Sequence, residues 1–147
     1  MAHKPLLTPG LHEIEESDLD NHFLSSFVGT KTRAVLIQGF KQYLQALRQY
    51  GVQFEVWIDG SFATDKQDPS DIDIVVFASG AELNALPLHA QTSLRSLFDR
   101  VNIKHTLGCD VFFSVLEDAN MRSYWRGWYG FDRDEQPKGI ACVRVSP

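Results

Sequence analysis

The sequence has little of what marks exported, membrane-spanning or disulfide-stabilised proteins. Its 147 residues include only two cysteines, Cys109 and Cys142, which predicts reduced thiols in a cytoplasmic protein. It contains no stretch of about 18 consecutive apolar residues, so we expect no membrane span. The first ten residues hold two prolines and no apolar stretch, so we do not expect a signal peptide there.

Positive charge is also scarce. Fourteen Lys and Arg residues stand against 19 Asp and Glu residues, which gives a net charge of −5. Proteins that coat nucleic acid through its phosphates are usually basic, so this function is excluded and nucleic acid is considered only as an acceptor. Binding of a single nucleotide is compatible with the charge, because a bound cation can bridge acidic side chains to phosphate groups.

What the sequence has is enough apolar material for one domain. Hydrophobic residues make up 44% of the chain and include ten Phe and three Trp, so a bulky core is expected. Residues 1–29 are rich in Pro, Gly, Asp and Glu, a composition that predicts an irregular N-terminal arm with at most a short helical turn. Residues 30–147 are predicted to form the domain itself.

The periodicity of apolar residues predicts an α/β (α+β) fold, in which helices flank a small mixed sheet. The pattern favours helices at residues 30–50 and 118–130, a helix that begins at Pro87 in a region that ends at Gly108, and strands at 53–59, 71–78, 109–115 and 139–145. In the first two helices the buried stripes are predicted to be Ala34, Ile37, Phe40, Leu44 and Leu47, and Leu94, Leu97, Phe98 and Val101. In the first strand one face is predicted to carry Phe54, Val56 and Ile58, and the other Glu55, Trp57 and Asp59.

Two aspartates begin the second strand, as Asp71-Ile72-Asp73. Alternation along a strand puts both carboxylates on one face, with Cα atoms about 6.6–6.8 Å apart. Like charges side by side repel, so this pair is a poor structural device but is well placed to hold divalent cations such as Mg²⁺. Asp110 begins the third strand, and it can join the pair if the two strands are neighbours.

A Gly60-Ser61 pair follows the first strand. Glycine lets the backbone approach a ligand closely, and a backbone N–H and a serine hydroxyl can donate to phosphate oxygens. The alternative is a simple turn in which Ser61 caps a short helix, and Asp110 likewise has the alternative of a turn residue.

Together these residues resemble the signature of the DNA polymerase beta-like nucleotidyltransferase superfamily. The shared pattern is a hydrophobic strand, Gly60-Ser61, a gap of nine residues, Asp71-Ile72-Asp73-Ile74, and a later acid that matches Asp110. Within it, the stretch looks most like small bacterial nucleotidyltransferase-like proteins and the minimal nucleotidyltransferases of toxin–antitoxin pairs. Those proteins usually carry an arginine soon after the Gly-Ser pair, and Lys66 is expected to take its place here.

The resemblance implies a metal-dependent nucleotidyltransferase that uses a nucleoside triphosphate and Mg²⁺ (or Mn²⁺). In that interpretation Asp71, Asp73 and Asp110 are catalytic and ligate metal, and Gly60, Ser61 and Lys66 bind the nucleotide. The alternative is a non-catalytic nucleotide-binding protein, such as an antitoxin or regulator, on the same fold. Only about 70 residues follow the second strand, too few for an added acceptor-binding domain, so a second copy or a partner protein is expected to complete the cleft.

The last predicted helix is unusually aromatic. Tyr124, Trp125, Trp128 and Tyr129 fall within six residues, and they are either core or an exposed patch for a partner or a base. Arg122 and Arg126 are expected in solvent on the opposite face. Arg133 and Lys138 bracket the charged turn at 131–138 and could reach phosphates.

Overall fold

A five-stranded mixed sheet with helices on both faces confirms the predicted α/β architecture. The computed structural model describes residues 3–131 and 137–147. In that part of the chain the strands are β1 (Gly10–Glu13), β2 (Phe54–Asp59), β3 (Ile72–Ala78), β4 (Cys109–Val115) and β5 (Gly139–Val145). The helices are α1 (Leu19–Phe23), α2 (Arg33–Arg48), α3 (Gly80–Asn84), α4 (Leu88–Arg95), α5 (Arg100–Leu107) and α6 (Ala119–Tyr129).

The sheet has the strand order β1-β5-β2-β3-β4. Strand β2 runs antiparallel to both of its neighbours, β5 and β3, whereas β4 is parallel to β3 and β1 is parallel to β5. The parallel β3–β4 pair requires a crossover, and helices α3, α4 and α5 supply it. This topology places the end of β2 beside the beginnings of β3 and β4.

Alternation along the strands gives the sheet two different faces. One face packs its apolar side chains, such as Val56 and Ile74, against α2 in the larger hydrophobic cluster. The other face packs Trp57 and Phe77 beneath α6 in a smaller cluster. The predicted alternation of β2 is confirmed, since its even-numbered residues lie in the first cluster and Trp57 lies in the second.

Residues 10–27 are more ordered than the composition of the predicted arm suggests. Strand β1 pairs in parallel with β5 over four residues, and Leu19 and Phe23 of α1 are fully buried. A four-residue strand gives too short a pattern to be recognised, and its partner lies about 130 residues away in the sequence. The arm therefore contributes to the main core.

The helix predicted from Pro87 is interrupted. A short 3-10 helix, Ser96–Phe98, follows α4, and α5 begins only after Asp99, whose side chain accepts a hydrogen bond from the Asn102 amide. This cap starts a new helix with a new orientation, so Val101 is 82% exposed and the predicted stripe is wrong at that residue.

Of two smaller expectations, the structure contradicts one and agrees with the other. In α2 the predicted stripe is wrong at Ala34, which is exposed, and Leu36 is buried instead. Cys109 and Cys142 are free, as the low cysteine count predicted, and both are buried. Among the described residues, no helix has both the length and the apolar character needed to cross a membrane.

Candidate active site

A row of three aspartates crosses the sheet where β2 ends. Asp59 of β2 pairs in register with Asp73 of β3, and Asp73 pairs with Asp110 of β4. Residues paired in this way project from the same face of a sheet, here the face beneath α6. Asp71 lies two residues before Asp73 and therefore on that face as well. Four carboxylates thus gather at one end of three neighbouring strands.

The three aspartates predicted from the sequence come together. One carboxylate oxygen from each of Asp71, Asp73 and Asp110 lies within 4.8 Å of the other two. In octahedral coordination with Mg²⁺ bonds of 2.0–2.1 Å, neighbouring ligands are about 2.9 Å apart and opposite ligands about 4 Å apart, so the three oxygens would move closer together to bind one ion. This arrangement could hold a metal ion, and the pairing of β3 with β4 creates it.

Gly60 lies directly against this cluster. Its φ angle is +76°, in the region that favours glycine. A Cβ atom at this position would collide with Oδ2 of Asp73, so no larger residue fits without displacing that carboxylate. Ser61 then begins a short 3-10 helix, Ser61–Ala63. The predicted Gly60-Ser61 loop is therefore placed beside the acids.

Buried Arg33 holds the loop that follows Ser61. Its guanidinium is fully buried and donates five hydrogen bonds to backbone carbonyls, which belong to Phe23, Phe62, Thr64 and, twice, Lys66. Desolvation lowers the pKa of Arg33 to about 10, and the charge of Asp68 opposes this change. The loop is thereby fixed to α1 and α2.

Lys138 is the partner of Asp59. Its Nζ atom lies 2.9 Å from Oδ2 of Asp59, and the two side chains are 12% and 4% exposed. Burial raises the pKa of Asp59 to about 7 although Lys138 and the Gly60 amide lower it. This pair closes the end of the aspartate row nearest to β5.

Two cations of α5 pair with the acids at the other end of the row. Arg100 donates to both oxygens of Asp110, at 3.0 and 3.3 Å, and its guanidinium stacks on the Phe112 ring with 4.1 Å to the ring centroid. Lys104 Nζ lies 3.2 Å from Oδ2 of Asp71. The side chains of Arg100 and Lys104 are each 54% exposed, so both cations are open to solvent.

Asp73 lies at the centre of the cluster and has no ion pair among the described residues. Burial raises the pKa of Asp73 to about 6, and repulsion from Asp71 and Asp110 adds to this effect. Lys104 and Lys138 lower the pKa but do not reverse the shift. A cation bound between the carboxylates would favour the ionised form, because it replaces repulsion by attraction.

Two buried oxygens at the cluster have no hydrogen-bond partner among the described residues. They are Oδ1 of Asp59 and the hydroxyl of Tyr129, which is on α6. The pKa of Tyr129 is raised by burial and then by the charges of Asp73, Asp59 and Asp110, so the hydroxyl lies within their field. Buried polar groups are normally satisfied, so each of these two oxygens can still take part in a further hydrogen bond.

Helix α6 covers the site with half of its aromatic residues. Trp125 and Tyr129 are buried, and the Trp125 indole donates to the Ser114 hydroxyl at 3.0 Å. Tyr124 and Trp128 are 54% and 67% exposed. The aromatic stripe is therefore divided, with two residues in the core and two exposed to solvent.

Arg122 also fixes α6 to the sheet. It pairs with buried Glu55 at 3.4 Å and lies over the rings of Trp57 and Phe77. The expectation that Arg122 is in solvent is therefore wrong, whereas Arg126 is exposed as predicted. The reason is the buried carboxylate of β2, which requires a cation from the helix above it.

Three residues were predicted to contact phosphate, and each has a different outcome. The described contact of Lys66 at the loop is its backbone carbonyl, which accepts from Arg33, and its role in nucleotide binding stays a prediction. Arg133 lies outside the described residues. Lys138 is directed to Asp59 in this structure.

Sequence reasoning missed several residues that surround the acids. Arg33 had a usable signal, because it lies four residues before Ile37 on the buried stripe of α2. Asp59 also had one, because alternation places it on the same face of β2 as Trp57. Arg100 and Lys104 gave no such signal, since their approach to the acids depends on the break at Asp99.

Comparison with known proteins identifies a family over nearly the whole length. Residues 1–144 match the model of a family of unknown function, DUF6932. The chain belongs to DUF6932. No curated protein and no solved structure matches the chain. The description of DUF6932 names no activity, so a function has to be argued from the site itself.

Proposed function

We propose that this DUF6932 protein is a metal-dependent nucleotidyltransferase, which moves a nucleotidyl group from a nucleoside triphosphate to an acceptor hydroxyl. The observation that supports this most strongly is the contact between Gly60 and the Asp73 carboxylate, in a cluster completed by Asp71 and Asp110. A glycine-serine loop against three acids is the arrangement that the resemblance to DNA polymerase beta-like enzymes implies. Neither the Gly60-Ser61 pair nor the three acids are part of the main hydrophobic core, which lies mainly on the other face of the sheet.

The donor set suits Mg²⁺ (or Mn²⁺), which would be held by Asp71, Asp73 and Asp110. Mg²⁺ prefers carboxylate oxygens and usually shares its ligands with substrate phosphates. The unsatisfied Oδ1 of buried Asp59 adjoins the same cluster and provides a further acceptor for a metal-bound water. When bound, the ion neutralises charge on the triphosphate and stabilises the attacking and leaving oxygens.

The residues of the loop then bind the triphosphate. Gly60 permits its close approach, and Ser61 donates its amide and hydroxyl to phosphate oxygens at the start of the 3-10 helix. Arg33 keeps this loop in place through the carbonyls of Phe62, Thr64 and Lys66. A fixed loop holds the α-phosphate in line with the acceptor without an ordering cost at the moment of reaction.

The transfer itself is a displacement at the α-phosphorus. The acceptor hydroxyl oxygen forms a bond to the α-phosphorus while the bond to the oxygen that bridges to the β-phosphate breaks, so pyrophosphate leaves. Asp110 takes the proton of the acceptor hydroxyl. It stands at the edge of the row, on the outermost strand β4, where an acceptor can approach.

A partner that supplies the acceptor is part of the proposal. Tyr124, Trp128 and Phe131 are all about half exposed or more, in and just after α6, and large exposed aromatics favour a protein contact. Sedimentation velocity tests for a homodimer, and Trp128→Ala, a substitution outside the acid cluster, tests whether this surface forms it. A single sedimenting species with the mass of a monomer at high protein concentration would argue against self-association.

Incubation with each labelled nucleoside triphosphate, Mg²⁺ and a cell extract tests the proposed reaction. We expect a labelled acceptor with the wild type and none with Asp110→Asn. Asp20→Asn is a matched control, because Asp20 is exposed on α1 and its ion-pair partner is Lys41. Binding of metal and nucleotide without any labelled product would favour the non-catalytic nucleotide-binding role instead.

A further inference from the structure

We propose that Arg100 and Lys104 form the phosphate-binding cation pair of this site, and that they exchange their carboxylate partners for the triphosphate when a divalent metal binds. The inference rests on the proposed function and adds two residues to it that lie outside the Gly-Ser and Asp-Ile-Asp motifs. It starts from the contacts of α5, which runs beside the acid cluster.

The two cations approach the acids from one helix face. Arg100 and Lys104 are four residues apart on α5, a spacing that puts their side chains on the same side of a helix. The helix is well fixed: Asp99 caps its beginning, and Gly39 of α2 lets the Leu107 carbonyl pack so closely that a Cβ atom would collide with it. Both cations therefore reach the cluster from a firmly placed backbone.

Their present partners are the same carboxylates that are placed to hold metal. Arg100 occupies both oxygens of Asp110, and Lys104 lies on Asp71. A divalent ion at Asp71, Asp73 and Asp110 needs those oxygen lone pairs, so it competes with the two cations for them. The positive charge of the ion also repels the two cations, so their contacts with the acids are weakened when it binds.

The cations released by that competition are suited to phosphate. Both side chains are 54% exposed, so they can turn toward an incoming ligand without leaving a hole in the core. Stacking on Phe112 keeps the Arg100 guanidinium near the cluster when Asp110 is no longer its partner. A guanidinium binds phosphate through two parallel hydrogen bonds, and an ammonium binds it as a point charge.

Lys138 provides the contrast within the same cluster. It is 12% exposed and its partner Asp59 is 4% exposed, so this ion pair is buried on both sides. Separating a buried pair leaves an uncompensated charge in the interior, which is strongly unfavourable. Lys138 therefore stays with Asp59, and the exchange is confined to the two exposed cations of α5.

If this exchange takes place, replacing either cation should change the Mn²⁺ affinity and the nucleotide affinity in opposite directions. Replacing Arg100 or Lys104 removes a competitor for the carboxylates, so Mn²⁺ alone should bind more tightly. The same replacement removes a charge-assisted contact to phosphate, so a non-hydrolysable nucleoside triphosphate at saturating Mn²⁺ should bind about tenfold or more weakly. A purely structural ion pair would change the first affinity and leave the second as it is.

Isothermal titration of Arg100→Gln, Lys104→Met and the double variant measures both affinities. Arg95→Gln is the matched control, because Arg95 is exposed at the end of α4 and its loss changes the net charge equally. Arg100→Lys keeps the charge but cannot form the two parallel hydrogen bonds of a guanidinium. It should therefore restore part of the nucleotide affinity that is lost in Arg100→Gln. Thermal melts of each variant separate a binding effect from unfolding.

We expect tighter Mn²⁺ binding and weaker nucleotide binding for the α5 variants, with Arg95→Gln like the wild type. Nucleotide binding equal to that of the wild type in the double variant would overturn the exchange while leaving the proposed function intact. A wild type that binds neither Mn²⁺ nor nucleotide would contradict the proposed function, and the exchange with it.

Discussion

The two faces of the central sheet are made from alternate residues of the same strands, but they differ in what they carry. Toward α2 the strands present apolar side chains, such as Ile74 and Val111, that are fully or almost fully buried. One residue away along each strand, Asp73 and Asp110 point to the face beneath α6. One face therefore holds the fold together, and the other can keep like charges side by side at a cost in stability.

The difference is not limited to the acid row. Farther along the α6 face, Glu55 is buried and contacts the Trp57 indole, Arg122 and Arg144. Burial raises the pKa of Glu55, but these hydrogen bonds and charges lower it by more, so the net pKa is below the usual value. The polar groups at this end are thus satisfied within the protein, whereas Oδ1 of Asp59 has no hydrogen-bond partner among the described residues.

The largest expected effect sharpens the contrast at two neighbouring residues. Ile74 is fully buried against the main core, and Ile74→Ala should lower the free energy of unfolding by about 2–5 kcal/mol, as cavity-forming substitutions do. Because its side chain points away from the acids, the folded protein should keep its Mn²⁺ affinity. Urea unfolding and a Mn²⁺ titration measure the two effects, and loss of Mn²⁺ affinity in the folded variant would break the comparison.

The second prediction compares two glycines that both have positive φ angles. Gly60 and Gly51 have φ angles of +76° and +66°, but a Cβ at Gly60 would collide with Asp73, whereas at Gly51 it would meet nothing within 4 Å. Displacing a carboxylate of the proposed metal site should weaken metal affinity about 10–100-fold in Gly60→Ala. Gly51→Ala also places a side chain at a positive φ angle, away from the acids, and should bind Mn²⁺ like the wild type. Equal Mn²⁺ affinities of Gly60→Ala and Gly51→Ala would contradict the assignment of Gly60 to the site.

The third prediction inverts the usual result of replacing a buried residue. The pKa of Asp73 is about 6 in the folded protein and about 3.9 in an unfolded chain, so folding favours its protonated form. The protein therefore loses stability as pH rises from about 4 to about 6, the full cost is present above pH 6, and none is present below about pH 4. Asp73→Asn should stabilise the metal-free protein by about 1–3 kcal/mol at pH 8 and by almost nothing at pH 4.

Denaturant unfolding in the presence of a chelator, at pH 4 and pH 8, measures this difference. The sign of the change in stability is informative, because shortening a core residue such as Ile74 can only destabilise the protein. A variant that is destabilised equally at both pH values would show that Asp73 supports the fold and does not strain it.

The smallest effect compares two buried tyrosines on opposite faces. The hydroxyl of Tyr43 on α2 donates to the Leu97 carbonyl at 2.7 Å, whereas the hydroxyl of Tyr129 on α6 has no partner among the described residues. Tyr43→Phe should cost about 0.5–1.5 kcal/mol, and Tyr129→Phe should cost nothing, because it removes an unsatisfied buried group. Thermal melts of the metal-free proteins test this. A comparable loss for Tyr129→Phe would indicate a satisfied hydroxyl.

The two faces also differ in how far the sequence predicted them. Alternation in β2 and the apolar run of β3 gave the strands and their faces, because a period of two is visible in six or seven residues. The sequence did not predict that β3 pairs with β4, and it placed Asp110 beside Asp73 only on the condition that the two strands are neighbours. It depends on a crossover of three helices, which no local pattern reports.

The cations around the acids could not be predicted for the same reason. Arg100 and Lys104 reach the acids because Asp99 starts a new helix where an uninterrupted apolar pattern predicted a continuous one. Lys138 reaches Asp59 from a segment about 80 residues later in the chain. Motifs encode the groups that bind ligands, whereas the tertiary structure decides which charges balance them.

A Mn²⁺ titration followed by electron paramagnetic resonance of the free ion tests the central claim most directly. The claim predicts one saturable site at pH 7.5 that is lost in Asp110→Asn and kept in the exposed control Asp20→Asn. Metal ligands must be deprotonated, so affinity should also fall as pH drops below the Asp73 pKa of about 6. Equal binding by the wild type and Asp110→Asn, or no binding by either, would contradict the assignment of these aspartates as a metal site.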